Sequence, residues 1–313
     1  MASPVAAIQV KPLAFHLGAE ISGVDLGRPL AAGVRDAVWR ALLDWKVVFF
    51  RGQNLDHAGH IAFARQMGDP TVGHPVFGHV EGFPEVYSVA TRRATPAQRH
   101  SRLQRPWSGW HTDLTAAHNP PKAAILRAET VPAYGGDTLW CDLAAAYNGL
   151  SETMRRILDG LRGVHRFELT MGAAGDPAYD AAVKRRAMTT EHPLVTVHPE
   201  TGERLLFVSP SLLKGIVSLS RTESDCLLEM LWTHMARPDY TVRFKWEAGD
   251  VAMWDNRATA HLAPTDMIES DHVRQLYRIT LAGDVPVGVD GRPSIAHEGA
   301  PILPVARDLA AGD

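Results

Sequence analysis

Cysteine is scarce in this 313-residue chain: there are two, Cys141 and Cys226, far apart and without CxxC spacing. That argues against a disulfide framework and suits a reducing cytoplasm. Long apolar runs are also missing, and none approaches the roughly 18 residues of a membrane span. The start, Met1 to Phe15, lacks a basic region followed by an apolar core, so no signal peptide is expected. Positive charge is not in excess either. The net charge of −3 provides no global field for nucleic acid or anionic lipid, and neither is expected as a partner. No internal repeat and no dividing linker is found, so residues 1–313 are read as one domain.

What is present is the profile of a globular protein, 45% hydrophobic and 21% charged. Leu13 to Val24 suggests strand, turn, strand. Gly33 to Trp45 has helical apolar spacing, Val47 to Phe50 is a short buried strand, and Asp56 is placed to cap a helix ending at Gly68. Strands are expected over Tyr87–Ala90, Ala123–Glu129, Thr241–Lys245, Val251–Trp254 and Arg274–Leu281. Asp142–Gly149 and Ser151–Gly160 are expected as short helices, and Leu194–His198 with Arg204–Val208 as a hairpin. Ser220-x-x-Glu223 is a capping box opening a further helix. Residues 92–105, rich in arginine, read as a surface loop, and 170–190 as a flexible cover. Residues 285–313 read as a tail or an arm onto a neighbour. The fold class is mainly β with α elaboration, a jelly roll.

The chemistry gathers around Trp110-His111-Thr112-Asp113. On an extended segment His111 and Asp113 would share one face. An imidazole beside a carboxylate is half of a metal site, and a 2-His-1-carboxylate set needs one more histidine. His261, after Val251–Trp254, is the candidate, although spacing alone does not bring it to the pair. Arg274, Leu276 and Arg278 would share a strand face, and two inward guanidiniums call for anions to pair with. The bland alternative turns that face to solvent.

Together, His74-Pro75-Val76, Trp110-His111-Thr112-Asp113, Gly135-Gly136-Asp137-Thr138-Leu139-Trp140, Gly249-Asp250, Trp254-Asp255-Asn256-Arg257-Ala258-Thr259 with His261, and Arg278 before Gly283-Asp284 resemble the taurine dioxygenase (TauD/TfdA-type) family. The resemblance runs from about Leu13 to Pro286. It implies an Fe(II)- and 2-oxoglutarate-dependent oxygenase that consumes O2, on a double-stranded β-helix of cupin-like form. It implies His111, Asp113 and His261 as iron ligands, and Thr138 with Arg274 on the distal carboxylate of 2-oxoglutarate. His74, Arg278 and the Leu114 N–H would hold the anionic head of a small organic substrate, with either arginine open to either anion.

The chain departs from the taurine enzyme at Trp107, Phe77 and Ala116, where asparagine, tyrosine and phenylalanine stand. A retained anion end and a reshaped apolar end favour an alkyl sulfate or another sulfonate, with an aryloxyalkanoate-type carboxylate as alternative. A homo-oligomer, dimer or tetramer, is expected. Two rivals remain at this point: a zinc hydrolase using the same triad, and a jelly roll that only binds a small anion.

Overall fold

The structure, a computed structural model, describes residues 8–75, 77–90, 109–167, 187–263 and 272–307. In chain order the first elements are β1 (Gln9–Pro12), β2 (Ala19–Ser22), α1 (Ala32–Trp45), β3 (Val47–Phe50), α2 (His57–Met67), β4 (Tyr87–Ala90) and β5 (Ala123–Thr130). Next come β6 (Thr138–Asp142), α3 (Leu143–Asn148), α4 (Glu152–Leu158), β7 (Arg162–Arg166), β8 (Thr189–Pro193), β9 (Val195–Val197), β10 (Arg204–Leu206) and β11 (Leu213–Ile216). The last are α5 (Arg221–Met235), β12 (Thr241–Phe244), β13 (Val251–Asp255), β14 (Thr259–Leu262), β15 (Gln275–Leu281) and β16 (Ile295–Glu298).

Strands with both faces apolar build the centre. In β3, Val48 and Phe50 join the core under α1 and α2, whereas Val47 and Phe49 join a second core on the opposite face. β13 divides the same way, Val251 and Met253 against Ala252 and Trp254. This period of two, buried on both sides, requires a layer on each face. The helices supply one. The other is a three-stranded sheet, β12–β6–β14, facing a seven-stranded sheet ordered β1–β2–β3–β13–β5–β15–β4. Phe49 stacks on Phe244 with ring centres 4.0 Å apart and meets Trp140 edge-on at 5.3 Å, tying the two layers together. A four-stranded sheet, β11–β7–β8–β16, and the β9–β10 hairpin complete a mainly β jelly roll with helical elaboration.

Local chemistry sets the boundaries. Asp56 accepts the Gly59 N–H at the start of α2, and Ser220 and Glu223 form a reciprocal capping box on α5. Three expectations change. β1 lies earlier than Leu13, and the Leu13–Phe15 stretch forms the turn into β2. Thr189 and Thr190 belong to β8 rather than to a cover, while 168–186 lie outside the described residues. The expected tail is bound to its own chain as far as residue 307. β16 pairs with β8, and Val305 is buried with its N–H on the Pro70 carbonyl. Backbone pairing, not apolar content, holds that segment. Among the described residues no helix is long and apolar enough to cross a membrane.

Two buried histidines tie stability to pH. Burial pushes His60 and His192 each down to about 3. Above pH 6.5 folded and unfolded chains are both neutral there. Below it the unfolded chain takes up protons that the folded chain refuses, so stability falls with pH from about 6.5 towards 3. Each group should cost on the order of 2 kcal/mol at pH 5 relative to pH 7.5. Urea unfolding at the two pH values measures this, and His60→Leu should reduce the difference; equal free energies at both would contradict it.

Candidate active site

His111 and His261 form an isolated antiparallel bridge: the His111 N–H donates to the His261 carbonyl at 2.9 Å, and the His261 N–H returns the bond at 2.7 Å. Side chains of such a directly bonded pair project to the same side, and the two imidazole centres lie 4.1 Å apart. His261 follows β13, as its sequence position suggested, and lies within a strand of its own, β14, which the sequence did not indicate. Nor do His111 and Asp113 share a regular strand. Only His111 is bridged, and the chain then turns through Leu114, whose φ of 52° is left-handed. Thr112 points the other way, its hydroxyl donating to the Thr259 carbonyl at 3.0 Å. Asp113 is fixed by its main chain: its N–H donates to Asn256 Oδ1 at 2.9 Å, and Asn256 Nδ2 donates to its carbonyl at 3.0 Å.

One nitrogen or oxygen from each of His111, Asp113 and His261 lies within 4.8 Å of the others. Nε2 of His111 is 4.0 Å from Asp113 Oδ1, and Nε2 of His261 is 3.9 Å from Oδ2, both beyond hydrogen-bond reach. His111 Nδ1 lies 3.0 Å from the Gly109 carbonyl, which can only accept, so Nδ1 donates there and Nε2 is the ring nitrogen turned to the gap. Gly109 makes this approach at φ 90°, where a Cβ would stand 2.8 Å from Leu262. Burial holds His261 well below the usual histidine range, with His111 acting in the same direction, which favours its neutral, metal-binding form. Burial alone would raise the Asp113 carboxyl. The Arg278 guanidinium and then the neighbouring imidazoles outweigh it and keep the group below the usual carboxylate range. Arg278 Nη1 bonds to Asp113 Oδ1, whereas Oδ2 is buried with no partner among the described residues. Two imidazoles and one carboxylate, the latter with an oxygen unpartnered among the described residues, fit a divalent iron.

Above this cluster opens a cavity of about 610 Å³. It brings together His74, Phe77, Leu114, Thr138, Arg274 and Arg278 with the three candidate ligands. Arg274 is buried; its Nε donates to the Gly136 carbonyl at 2.7 Å and its Nη2 to Thr138 Oγ1 at 3.2 Å. Arg274, Leu276 and Arg278 do share the buried face of the strand, with Gln275 and Tyr277 half-buried on the other. His74 is buried, accepting the Phe77 N–H on Nδ1 at 3.1 Å. Trp107, the 92–105 stretch and Val76 lie outside the described residues. Ala116 is not on the cavity wall; it packs with Met188 against Phe167, which is.

Sequence reasoning missed Tyr87, Phe167 and Leu212 on that wall. Tyr87 is the cross-strand partner of Arg278 and lies under its guanidinium at 5.3 Å. An aromatic residue opening a strand was its only signal, because strand pairing is not written in local sequence.

The family described as "Taurine catabolism dioxygenase TauD, TfdA family" matches residues 9–280. The chain belongs to that family. Relatives of this TauD/TfdA member include an alpha-ketoglutarate-dependent sulfate ester dioxygenase from Pseudomonas putida, 40% identical over 295 residues that cover 92% of this chain and 93% of that one. An alkylsulfatase from Acinetobacter baylyi is 35% identical, covering 92% and 89%. A crystal structure of a taurine dioxygenase from Burkholderia xenovorans superimposes with a TM-score of 0.84 at 58% identity, covering 95% and 96%. The protein is a 2-oxoglutarate-dependent non-haem iron dioxygenase on a double-stranded β-helix, using Fe(II), 2-oxoglutarate and O2.

If the cluster is the iron site, His111→Ala and His261→Ala should each weaken Fe(II) binding roughly a hundredfold or more, and Asn256→Ala roughly tenfold. Anaerobic calorimetric titration reads all three, and undiminished affinity in His261→Ala would remove it from the ligand set.

Proposed function

We propose that the enzyme hydroxylates an alkyl sulfate or a sulfonate at the carbon next to its anionic head. The observation that carries this reading is the buried Arg278, set against Asp113 of the His-Asp-His cluster and opening onto a cavity with an apolar wall. A substrate anion drawn to that guanidinium lies beside the metal-binding group, while its carbon chain meets Phe77, Phe167 and Leu212. The relatives named for sulfate esters and alkyl sulfates point to the same class.

In this reading His111, Asp113 and His261 hold Fe(II). Arg274 and Thr138 hold the far carboxylate of 2-oxoglutarate, a placement favoured by their mutual hydrogen bond. Arg278, His74 and the Leu114 N–H orient the substrate, with Phe77 completing its pocket. Iron and 2-oxoglutarate, when bound, supply the oxidising chemistry that converts O2 and the keto acid into succinate, CO2 and one hydroxyl delivered to substrate. The residues of the chain bind, orient and exclude water. Arg278 has two tasks: Nη1 steadies Asp113, and its remaining N–H groups face the anion. Hydroxylation of R–CH2–O–SO3− gives R–CH(OH)–O–SO3−, which loses sulfate as the hydroxyl proton departs and the carbon becomes a carbonyl. From a sulfonate the same collapse releases sulfite.

We also read the chain as one domain. A cytoplasmic location accords with two unpaired cysteines, and a homo-oligomer, dimer or tetramer, is part of the reading.

A succinate-release screen with Fe(II), O2 and 2-oxoglutarate should respond to alkyl sulfates or sulfonates more strongly than to aryloxyacids. Arg278→Ala should raise the KM for substrate roughly tenfold or more, as loss of a charge-assisted bond requires, with a smaller change in the KM for 2-oxoglutarate. The reverse pattern exchanges the roles of Arg274 and Arg278. Turnover without oxygen and 2-oxoglutarate would point to a metal hydrolase instead.

A further inference from the structure

The Thr138 hydroxyl oxygen accepts two hydrogen bonds, from the Trp246 indole N–H at 2.9 Å and from Arg274 Nη2 at 3.2 Å. A hydroxyl has two lone pairs and one hydrogen, so both accepting positions are filled. Thr138 is buried on the cavity wall, and its own hydrogen goes to no described residue.

Trp246 reaches this oxygen because of strand register. Phe244 of β12 lies opposite Thr138 of β6, and two residues later the indole folds back, edge-on to Phe244 at 5.0 Å. It is buried and off the cavity wall. The bond does not come with every buried indole here, since the N–H groups of Trp140 and Trp254 have no partner among the described residues.

We infer that Trp246 is a positioning residue for the 2-oxoglutarate subsite: by filling one lone pair of Thr138 it commits that hydroxyl to donate, and so selects a 2-oxo acid ending in a carboxylate. This rests on the reading of Thr138 and Arg274 given above. A carboxylate oxygen only accepts. A donor aimed in advance needs no reorganisation when it arrives. A 2-oxo acid with a methyl group in that place leaves the donor unpaired, and a site built to bond a polar group rejects an analogue lacking it.

Anaerobic calorimetric titration of Fe(II)-loaded protein with 2-oxoglutarate and with 2-oxopentanoate, which ends in methyl, tests this. Trp246→Phe should raise the Kd for 2-oxoglutarate roughly three- to tenfold, the worth of one hydrogen bond, and leave that for 2-oxopentanoate within about twofold. The substrate KM at saturating 2-oxoglutarate should stay constant. Thr138→Val should lose at least as much, and adding Trp246→Phe to it should cost nothing more. Benzothienylalanine at position 246 keeps both rings without the N–H and gives the same result if Trp246→Phe fails to fold. Equal losses for both keto acids, or additive losses in the double variant, would reduce Trp246 to packing and overturn the inference. Loss in Thr138→Val with none in Trp246→Phe overturns the inference alone. Undiminished 2-oxoglutarate binding in Thr138→Val overturns the subsite reading with it.

Discussion

Two backbone hydrogen bonds, exchanged between His111 and His261, are what the site depends on. They join segments distant in sequence and leave neither residue free to rotate its Cα–Cβ direction away from the other. Side-chain packing then refines a juxtaposition the main chain has already made. Trp254 packs against His261 at 4.9 Å, and the Gly109 carbonyl selects the His111 tautomer. A geometry held by the peptide backbone tolerates a reactive, half-buried interior better than one resting on long flexible side chains.

Charge is the second constraint. Asp113, Arg278 and Arg274 are all buried, and an isolated ion in such a place is expensive. Arg278 bonds to Asp113 and lies over Tyr87, while Arg274 bonds to Gly136 and Thr138. A second buried group, Asp255 with His198 and Arg257, neutralises itself outside the cavity and holds the turn that presents Asn256. Burial alone would raise the Asp255 carboxyl, but His198 and Arg257 hold it well below its ordinary value, so it stays ionised. Within the cavity two guanidiniums stand against the one Asp113 carboxylate, an excess of positive charge that suits anionic ligands.

Much of this was legible in sequence, for identifiable reasons. α2 and α5 follow from caps written in adjacent residues, Asp56 with Gly59 and Ser220 with Glu223. β3 follows from a short continuous apolar run, Val47 to Phe50, and β13 is of the same kind, both buried on two faces. The convergence of His111, Asp113 and His261 was indicated by resemblance, since their spacing carries no information about a bridge between distant segments. β7, β8 and β16 were missed because each is short and polar and is held by its neighbour's backbone. Tyr87 and Trp246 escaped for the same reason: what matters is the residue across the strand, Arg278 for one and Thr138 for the other, by way of Phe244.

Asn256 grips the peptide units on both sides of Asp113, not its carboxylate. The main chain at position 113 is therefore held by Asn256, while the carboxylate it carries is left to Arg278 and to a metal ion. The backbone that carries the carboxylate is thus fixed by hydrogen bonds within the fold, whereas small zinc domains owe such order to the ion itself.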